Sequence, residues 1–480
     1  WIHRVRAKIK NVRWSHGLSC CFTVTAAEGK KGVTRVLHFF FKTTSGVAFP
    51  RSFREILGIS RDLSQGAFRT RAPLRTRAYT TSVLEIKTDM AEVLASTAPK
   101  LPGLPMDYKT AVELKQVIFG TRMFSFDEEW KRACLQWQSL KGPFPYGLFC
   151  PRDKSRGVIM AIQVHLVRHL QFDQRKEEGR HYMQDDTESL DVSSAYRLTP
   201  TEEERKQGFL LALVDILWSA GEQKKATVVL QDRKKPGLLH SEEKKLQFFA
   251  QSLRITEFTD KEKMRVFLRN HLELLMYHEG GGVLMFLFSI ILSRTIPRLL
   301  EDLDGDLLFT DRNQSSLTLI MLVLTGRATS NVFNGKKVYD KKGEALAKPL
   351  VGMTNRSDCG FLLVDRSKVK EDEKIEVGSM LKTPRVPVWL TYLNGRYSML
   401  FCTNVRLTSD WRAENRFLLH YYNGQSDQIK EAVLTIDTKT SPPQQSSDNF
   451  EEKQPPLLEE CIHTRWPDAG IDWNGSLPFI

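Results

Sequence analysis

A β-hairpin in the C-terminal part of the chain constrains the fold most tightly. Residues 384–404, PRVPVWLTYLNGRYSMLFCTN, carry two runs rich in β-branched and aromatic residues around Asn394 and Gly395. The pair Asn-Gly favours a type I′ turn because both residues tolerate positive φ angles. The segment therefore predicts two antiparallel strands joined by a two-residue turn.

Apolar segments with helical spacing predict much of the core. Val158, Ile162 and Leu166 recur at intervals of four residues, as on one face of a helix. The apolar segments 283–300 and 317–325 predict core helices. The longest apolar run, VLMFLFSIIL, is shorter than the roughly 20 residues that span a bilayer, so a buried helix is the better interpretation.

Two capping boxes and one strand complete the outline. Ser125 and Glu128 have capping-box spacing, as do Thr201 and Glu204, and each pair predicts the start of a helix. The segment ATVVLQD, residues 226–232, predicts a strand. Helices and strands are mixed without strict βαβ alternation, which favours the α+β class.

Composition divides the chain into a basic extension and a main domain. Residues 1–108 predict a low-structure N-terminal extension that ends in a Pro- and Gly-containing linker, and residues 109–480 predict the folded domain. Within the domain, residues 173–194 are charged and predict a surface insert. Residues 437–456 predict a polar loop.

The basic charge resides almost entirely in the extension. The net charge is +13, and residues 1–90 hold 17 Lys and Arg against 5 Asp and Glu. Such an arm can bind phosphate backbones nonspecifically, but a solvated arm is favoured, so nucleic acid is an unfavoured partner and no membrane partner is expected.

Cysteine usage points to a reducing compartment. The seven cysteines include no C-x-x-C pair, which argues against a disulfide scaffold or a zinc site. Residues 1–20 show no signal-peptide pattern. The expected location is intracellular, cytoplasmic or nuclear, with no metal and no cofactor.

Few residues suggest chemistry on their own. His165 and His169 have the i, i+4 spacing of zinc proteases but lack the glutamate of H-E-x-x-H. The EGGGV segment, 279–283, lacks the Lys of a phosphate loop, so a turn is favoured. Cys150 precedes a loop-helix junction. The favoured interpretation is an ordinary buried residue, and a thiol catalyst is the alternative. Arg156 at that junction is most simply a solvated residue.

Several longer segments together resemble one family. They are FGTRMFSFDEEWKRACLQW (119–137), LIMLVLTGRATSNVFNG (319–335), SDCGFLLVDRSKV (357–369), VGSMLKTPRVPVW (377–389) and LLEECIHTRWPDAGIDWNGSLPFI (457–480). These blocks resemble, in order, motifs of the MINDY deubiquitinases, in the branch of the third and fourth members. Within that branch the chain is most similar to an inactive paralogue of the fourth member.

The resemblance implies a fold and a chemistry. It implies a papain-like cysteine-protease fold of divergent arrangement, whose active members trim long lysine-48-linked ubiquitin chains. That chemistry needs a thiolate at a helix N-terminus, a histidine for proton transfer and a donor to the oxyanion.

The motif register assigns these roles to residues that cannot perform them. Active relatives read Q-x-x-G-G-P-C-G-V-L-A-A-V-Q where this chain reads CPRDKSRGVIMAIQ. The resemblance thus places Arg156 at the nucleophile, Cys150 at the oxyanion glutamine and Arg396 at the histidine. Arginine stays protonated at neutral pH, so it is neither nucleophile nor base.

The register therefore predicts a catalytically inactive homologue, not an enzyme, that retains binding of ubiquitin or polyubiquitin. Arg156 and Arg396, side by side in a cleft, are the predicted binding residues for the free carboxylate of ubiquitin. Neutralisation by Asp153, or exposure to solvent, is the competing interpretation. Two other functions stay open: residual hydrolysis of lysine-48-linked chains by Cys150, and a scaffold or nucleic-acid role for the basic arm.

Overall fold

The computed structural model describes eight stretches in full and three N-terminal strands by their backbone. The fully described residues are 101–120, 126–173, 198–232, 249–276, 281–340, 342–368, 374–439 and 454–476. Contacts divide the chain into two units, residues 1–98 and residues 99–480.

The first unit contains a three-stranded antiparallel sheet in the order β1-β2-β3. The strands are β1 (Ala7–Trp14), β2 (Ser19–Glu28) and β3 (Val33–Lys42). Most of the extension predicted over residues 1–108 lies outside the described residues. Its low structure and its boundary at residue 108 therefore stay predictions.

The second unit mixes helices with sheets, which confirms the expected combination of the two element types. Its strands are β4 (Leu104–Pro105), β5 (Ala226–Gln231), β6 (Leu253–Phe258), β7 (Lys336–Tyr339), β8 (Ala345–Val351), β9 (Gly360–Val364), β10 (Val388–Leu393), β11 (Arg396–Phe401), β12 (Arg416–Tyr422), β13 (Ala432–Asp437) and β14 (Gly470–Asp472).

The helices of the second unit supply most of its core. They are α1 (Tyr108–Phe119), α2 (Glu128–Arg132), α3 (Arg156–Arg168), α4 (Glu202–Ala220), α5 (Lys261–Met276), α6 (Gly282–Arg294), α7 (Ile296–Leu303), α8 (Leu317–Thr325), α9 (Ser379–Lys382) and α10 (Leu457–His463). A π-helical turn, His169–Asp173, continues α3.

The largest sheet has six strands in the order β14-β13-β12-β11-β10-β9. Strand β9 runs parallel to β10, and the other neighbours are antiparallel. Side chains alternate between two hydrophobic cores, since Met399 and Phe401 join the core on the helical side and Leu400 joins the core beneath α10. The sheet is therefore covered on both faces.

The predicted hairpin is confirmed in place and register. Strands β10 and β11 pair Leu393 with Arg396, and Asn394 and Gly395 form the turn with φ angles of 46° and 85°. Both angles lie in the left-handed region that a type I′ turn requires. The turn therefore determines which face of the sheet each side chain of β11 occupies.

Helix α3 is buried all round rather than on one face. Every residue from Gly157 to Val167 is buried, because the helix packs between α4, α8 and the strands β10 and β11. The spacing of Val158, Ile162 and Leu166 predicted the helix correctly but understated its burial. Its first residue, Arg156, marks where the core meets solvent.

One predicted helix start is confirmed and another differs. Thr201 and Glu204 form the reciprocal capping box of α4. In α2 the cap is Asp127, whose carboxylate accepts from the N–H of Trp130, and Ser125 lies outside the described residues. The predicted segment at 226–232 is confirmed as β5.

The free edge of β5 is closed by serines of α6. The Oγ of Ser289 accepts from the N–H of Val229 at 2.8 Å, and the Oγ of Ser293 accepts from the N–H of Thr227 at 2.9 Å. These bonds satisfy strand donors that would otherwise be buried without acceptors.

The apolar run VLMFLFSIIL forms α6, which is buried as predicted. In the described part of the chain, no single helix has the length and apolarity of a membrane span. Helices α6 and α7 together have the length and apolarity of a membrane span, but the pair is bent by 88°. The predicted insert at 173–194 and polar loop at 437–456 lie largely outside the described residues.

Candidate functional site

A cleft of about 370 Å³ opens at the N-terminus of α3. Helix α3 forms one wall, and the β10–β11 hairpin and the start of α8 form others. The cleft is defined by Arg156, Gly157, Leu363, Ile375, Tyr392 and Tyr397. The loop-helix junction that the sequence singles out is therefore at a cavity.

Arg156 is held in this cleft by two backbone carbonyls. Its Nε donates to the carbonyl of Tyr397 at 3.0 Å, and its Nη2 donates to the carbonyl of Asn423 at 3.1 Å. The side chain is only partly exposed. Arg156 is thus an ordered residue of the site, not the freely solvated residue that the sequence alone favoured.

The charge of Arg156 lacks an acidic partner nearby. Among the fully described residues, no carboxylate lies within 4 Å of Arg156 or Arg396. Burial lowers the pKa of Arg156, and the charge of Arg396 lowers it further. The neighbouring Lys154, by contrast, pairs with Asp127.

Asp153, the expected counterion, is engaged elsewhere. Its carboxylate accepts from the N–H of Ser155 at 2.9 Å and from the hydroxyl of Ser155 at 2.6 Å. Burial raises the pKa of Asp153, against the lowering effect of these two hydrogen bonds. Neutralisation of Arg156 by Asp153 is not seen in the structure.

The first turn of α3 lies at the cleft, which Arg156 and Gly157 line. Ser155, at the N-cap, makes no side-chain capping bond. The N–H groups of Gly157 and Val158 have no intrahelical acceptor at this position, and none of the described residues supplies one. Unpaired N–H groups at a helix start favour an anion.

Arg396 lies at the rim of the cleft rather than inside it. It is exposed and begins β11, whereas its neighbours Gly395 and Tyr397 line the cleft. Arg396 is close enough to Arg156 for its charge to lower the pKa of Arg156. Their roles at the ubiquitin site stay predictions.

Cys150 is buried and is not activated. Its N–H donates to the carbonyl of Gly424 at 2.8 Å, and its Sγ contacts the carbonyl oxygen of Leu148 at 3.6 Å. Burial raises the pKa of this thiol to about 12, although Arg156 opposes the shift. The geometry supplies neither the base nor the low pKa that a thiol catalyst needs.

Gly424 allows the close approach of the loop to Cys150. Its φ is +72°, and a Cβ atom there would lie 2.6 Å from the Cβ of Cys150. Sequence reasoning missed Asn423, Gly424 and Tyr397, which hold this end of the site. The only local signal was the turn-forming Asn-Gly pair at 423–424.

His165 and His169 are buried. Burial lowers the pKa of His165 to about 3. The ring nitrogens of His169 lie 2.9 Å from Asp173 and 3.1 Å from Asp215. The fully described residues contain no cluster of metal-binding side chains. Of the EGGGV segment, the described part forms the start of α6.

The free energy of unfolding is expected to fall as the pH rises above about 6.5, through the titration of His169. Burial lowers the pKa of His169, but hydrogen bonds to Asp173 and Asp215 outweigh it, so the folded-state pKa is raised. Its stabilisation is complete below the unfolded-state pKa and is lost as the pH passes the folded-state pKa. His165 is neutral in the folded state throughout this window, but it is still partly protonated in the unfolded state up to about pH 7.5, so below that pH it opposes the effect.

Urea unfolding across pH 6 to 9 measures this effect. The variant His169→Gln should lose that pH dependence, and the control His271→Gln, at a residue that bonds the carbonyl of Phe267, should keep it. An unchanged slope in His169→Gln would show that other groups cause it.

Comparisons with known proteins agree with the motif blocks. The family model of the deubiquitinating enzyme MINDY-3/4 conserved domain matches residues 115–475. The probable ubiquitin carboxyl-terminal hydrolase MINDY-4 of Homo sapiens is 32% identical over 396 residues, which cover 81% of this chain and 49% of that protein. MINDY-4 of Xenopus tropicalis is 31% identical over 389 residues, which cover 81% of this chain and 48% of that protein.

A more distant relative is the ubiquitin carboxyl-terminal hydrolase MINDY-3 of Homo sapiens, 30% identical over 137 residues, or 28% of each chain. No solved structure matches the chain. The chain spans about half the length of the MINDY-4 proteins that it matches. These matches confirm the predicted resemblance.

The same matches correct one prediction. From Arg156 and Arg396 we predicted that the chain is not an enzyme, and that prediction is contradicted, because the relatives are named as ubiquitin carboxyl-terminal hydrolases and the family as deubiquitinating. The substitutions describe the chemistry of two side chains, whereas the family assignment rests on the whole domain.

Proposed function

This chain belongs to the MINDY-3/4 family of deubiquitinating enzymes, and we propose from that membership that its cleft recognises ubiquitin or polyubiquitin. The observation that carries the proposal is Arg156, a cation in the cleft without a carboxylate partner among the described residues. The motif register places this residue where active relatives hold their nucleophile. A nucleophile in that position must reach the carbonyl at the C-terminus of ubiquitin, on which it acts.

The proposed ligand is the C-terminal carboxylate of ubiquitin. A guanidinium carries five N–H donors, and two of those in Arg156 already bond the carbonyls of Tyr397 and Asn423. The remaining donors, with the N–H of the cleft-lining Gly157, can donate to both oxygens of a planar carboxylate. Arg396 at the rim adds positive charge to the approach.

The finer features of the family belong to this proposal as well. They are a papain-like arrangement of helices and sheet, a preference for long lysine-48-linked chains and an intracellular location. The position of a long buried helix against a mixed sheet is compatible with the first. Cys150 gains no support as the reactive group, since its thiol is buried and its pKa is raised.

Calorimetric titration of the full chain with ubiquitin and with lysine-48-linked tetraubiquitin tests the proposal. We expect ubiquitin and tetraubiquitin to bind with similar affinity, because each carries one free C-terminal carboxylate for the proposed site. The same samples, followed on gels over time, measure any hydrolysis. No heat with either ligand, at concentrations up to the millimolar range, would contradict the proposal.

A further inference from the structure

A second cavity, of about 500 Å³, lies beside the cleft. We call it the lysine cavity, and its defining residues are Phe333, Lys337, Leu363, Ile375, Glu376 and Lys382. Two of these, Leu363 and Ile375, also line the cleft. We propose that the cleft and the lysine cavity form one continuous groove, and that its far end binds an extended acidic segment of a partner protein.

A row of side chains from three neighbouring strands forms the floor of the cleft. In register, Leu363 of β9 stands beside Tyr392 of β10, and Tyr392 pairs with Tyr397 of β11. The tyrosine rings are 5.1 Å apart between centroids. This row runs across the strands from Arg156 to the edge strand β9, where the lysine cavity begins.

The shared section is apolar and accessible. Ile375 is 39% exposed, and Leu363 is partly exposed although it packs against the main core. An apolar wall between two polar ends suits a polypeptide in extended form, whose alternate side chains can face the floor. A small inorganic ion would not use this section.

Two lysines at the far end of the groove, Lys337 and Lys382, have no carboxylate nearby among the described residues. Lys337, Lys374 and Lys382 line the lysine cavity, and Glu376 is the acidic residue among them. Among the fully described residues, no carboxylate lies within 4 Å of the ammonium of Lys337 or Lys382. Lys337 instead lies 4.2 Å from the centroid of the Phe333 ring. Charge complementarity therefore favours carboxylate side chains on the partner.

The ligand class follows from both features. The apolar wall selects a large aliphatic side chain, and the two lysines select Glu or Asp next to it. This inference rests on the proposed function only at the Arg156 end of the groove, where ubiquitin is the proposed ligand. The lysine cavity can be tested by itself.

The probe is a fluorescein-labelled peptide amide, Gly-Glu-Leu-Glu-Leu-Glu-Gly, which has no free carboxyl terminus to engage Arg156. Fluorescence anisotropy with the full chain should show saturable binding that weakens with salt. The double variant Lys337→Glu/Lys382→Glu should weaken binding at least about tenfold, since each lysine then repels the peptide. The matched control Lys336→Glu, on the same strand but outside the cavity, should weaken it less than about twofold.

Two further measurements separate this groove from the proposed ubiquitin site. Arg156→Ala should leave the peptide affinity unchanged, and the double lysine variant should leave the affinity for ubiquitin unchanged. Ile375→Ser should weaken both ligands, because the wall is shared. Melting temperatures of all variants are measured so that unfolding is not mistaken for lost binding.

Three results would overturn the inference. They are absence of peptide binding to the natural sequence, equal losses in the double variant and in Lys336→Glu, and equally tight binding of an oligothymidylate of the same charge. The second and third would mean a diffuse basic surface. If the natural sequence binds the peptide but does not bind ubiquitin, only the proposed function is refuted.

Discussion

Arg156→Ala is expected to weaken the binding of ubiquitin with a free C-terminus by at least about tenfold. A hydrogen bond between charged groups contributes about 1.5 to 3 kcal/mol, and each 1.4 kcal/mol is about a factor of ten in affinity. Ubiquitin amidated at its C-terminus lacks the negative charge, so the same substitution should change its affinity little. Calorimetry of the two ligands against the two proteins forms a double-mutant cycle.

Neighbouring arginines supply the controls for this cycle. Arg152 is exposed, donates to Gln425 and pairs with Asp427 outside the cleft, so Arg152→Ala should leave both affinities nearly unchanged. Arg396→Ala should have a smaller effect than Arg156→Ala, because an exposed charge at the rim is screened by solvent. Equal losses for free and amidated ubiquitin in Arg156→Ala would show that the residue does not read the carboxylate.

Arg156→Lys tests the geometry of the same contact. Lysine keeps the charge but cannot reach the carbonyls of Tyr397 and Asn423 with a planar fork while holding a carboxylate. Arg156→Lys should therefore bind free ubiquitin little more tightly than amidated ubiquitin.

Local chemistry allowed the hairpin to be predicted from the sequence. Asn394 and Gly395 adopt positive φ at little cost, so the turn and the register of β10 and β11 follow from neighbouring residues alone. The capping box of Thr201 and Glu204 was predictable for the same reason, since both partners lie within one helical turn. At α2 two acceptable caps compete, and Asp127 is the one used.

Long-range packing explains what the sequence could not predict. Asn423 accepts from Arg156 across a separation of 267 residues, and no pattern near either residue indicates that contact. Asp153 was a reasonable counterion by proximity, but the hydroxyl and N–H of Ser155 take its carboxylate. Burial of α3 on all sides likewise depends on packing against the sheet and α8. The spacing of apolar residues within the helix carries no information about these distant partners.

The motif register located the site but did not settle the class of the protein. It placed Arg156 at the N-terminus of the central helix, and the structure shows a cleft there. It also placed Arg396 beside Arg156, and in the structure Arg396 begins β11 between the cleft-lining residues Gly395 and Tyr397. Because side chains alternate along β11, Tyr397 rather than Arg396 contributes to the floor of the cleft.

Arg156→Cys is expected to create the most reactive described thiol of the protein. A cysteine at the first position of α3 would lie at a helix N-terminus with the unpaired N–H groups of Gly157 and Val158, an environment that lowers a thiol pKa. Burial raises the pKa values of the natural thiols of Cys150, Cys359 and Cys402 to about 12. Iodoacetamide should therefore label position 156 at least about a hundredfold faster at neutral pH.

Mass spectrometry assigns the labelling to each cysteine, and Val266→Cys provides the matched control. Val266 is 46% exposed in the middle of α5, so a thiol there is accessible but lacks the helix terminus. The pH midpoint of labelling should be lower at position 156 than at 266. Equal midpoints would show that the first turn of α3 does not stabilise an anion, which would also weaken the proposed carboxylate site.

The same variant reports whether ubiquitin occupies the cleft. Ubiquitin carrying an α,β-unsaturated methyl ester at its C-terminus, to whose double bond a thiolate adds, should label position 156 faster than a small α,β-unsaturated ester at equal concentration, because binding holds the electrophile beside the thiol. The advantage should disappear when excess unmodified ubiquitin competes, and Val266→Cys should show no advantage. Equal rates for the two reagents at position 156, with its low pH midpoint retained, would mean that the cleft stabilises an anion but does not receive the C-terminus of ubiquitin.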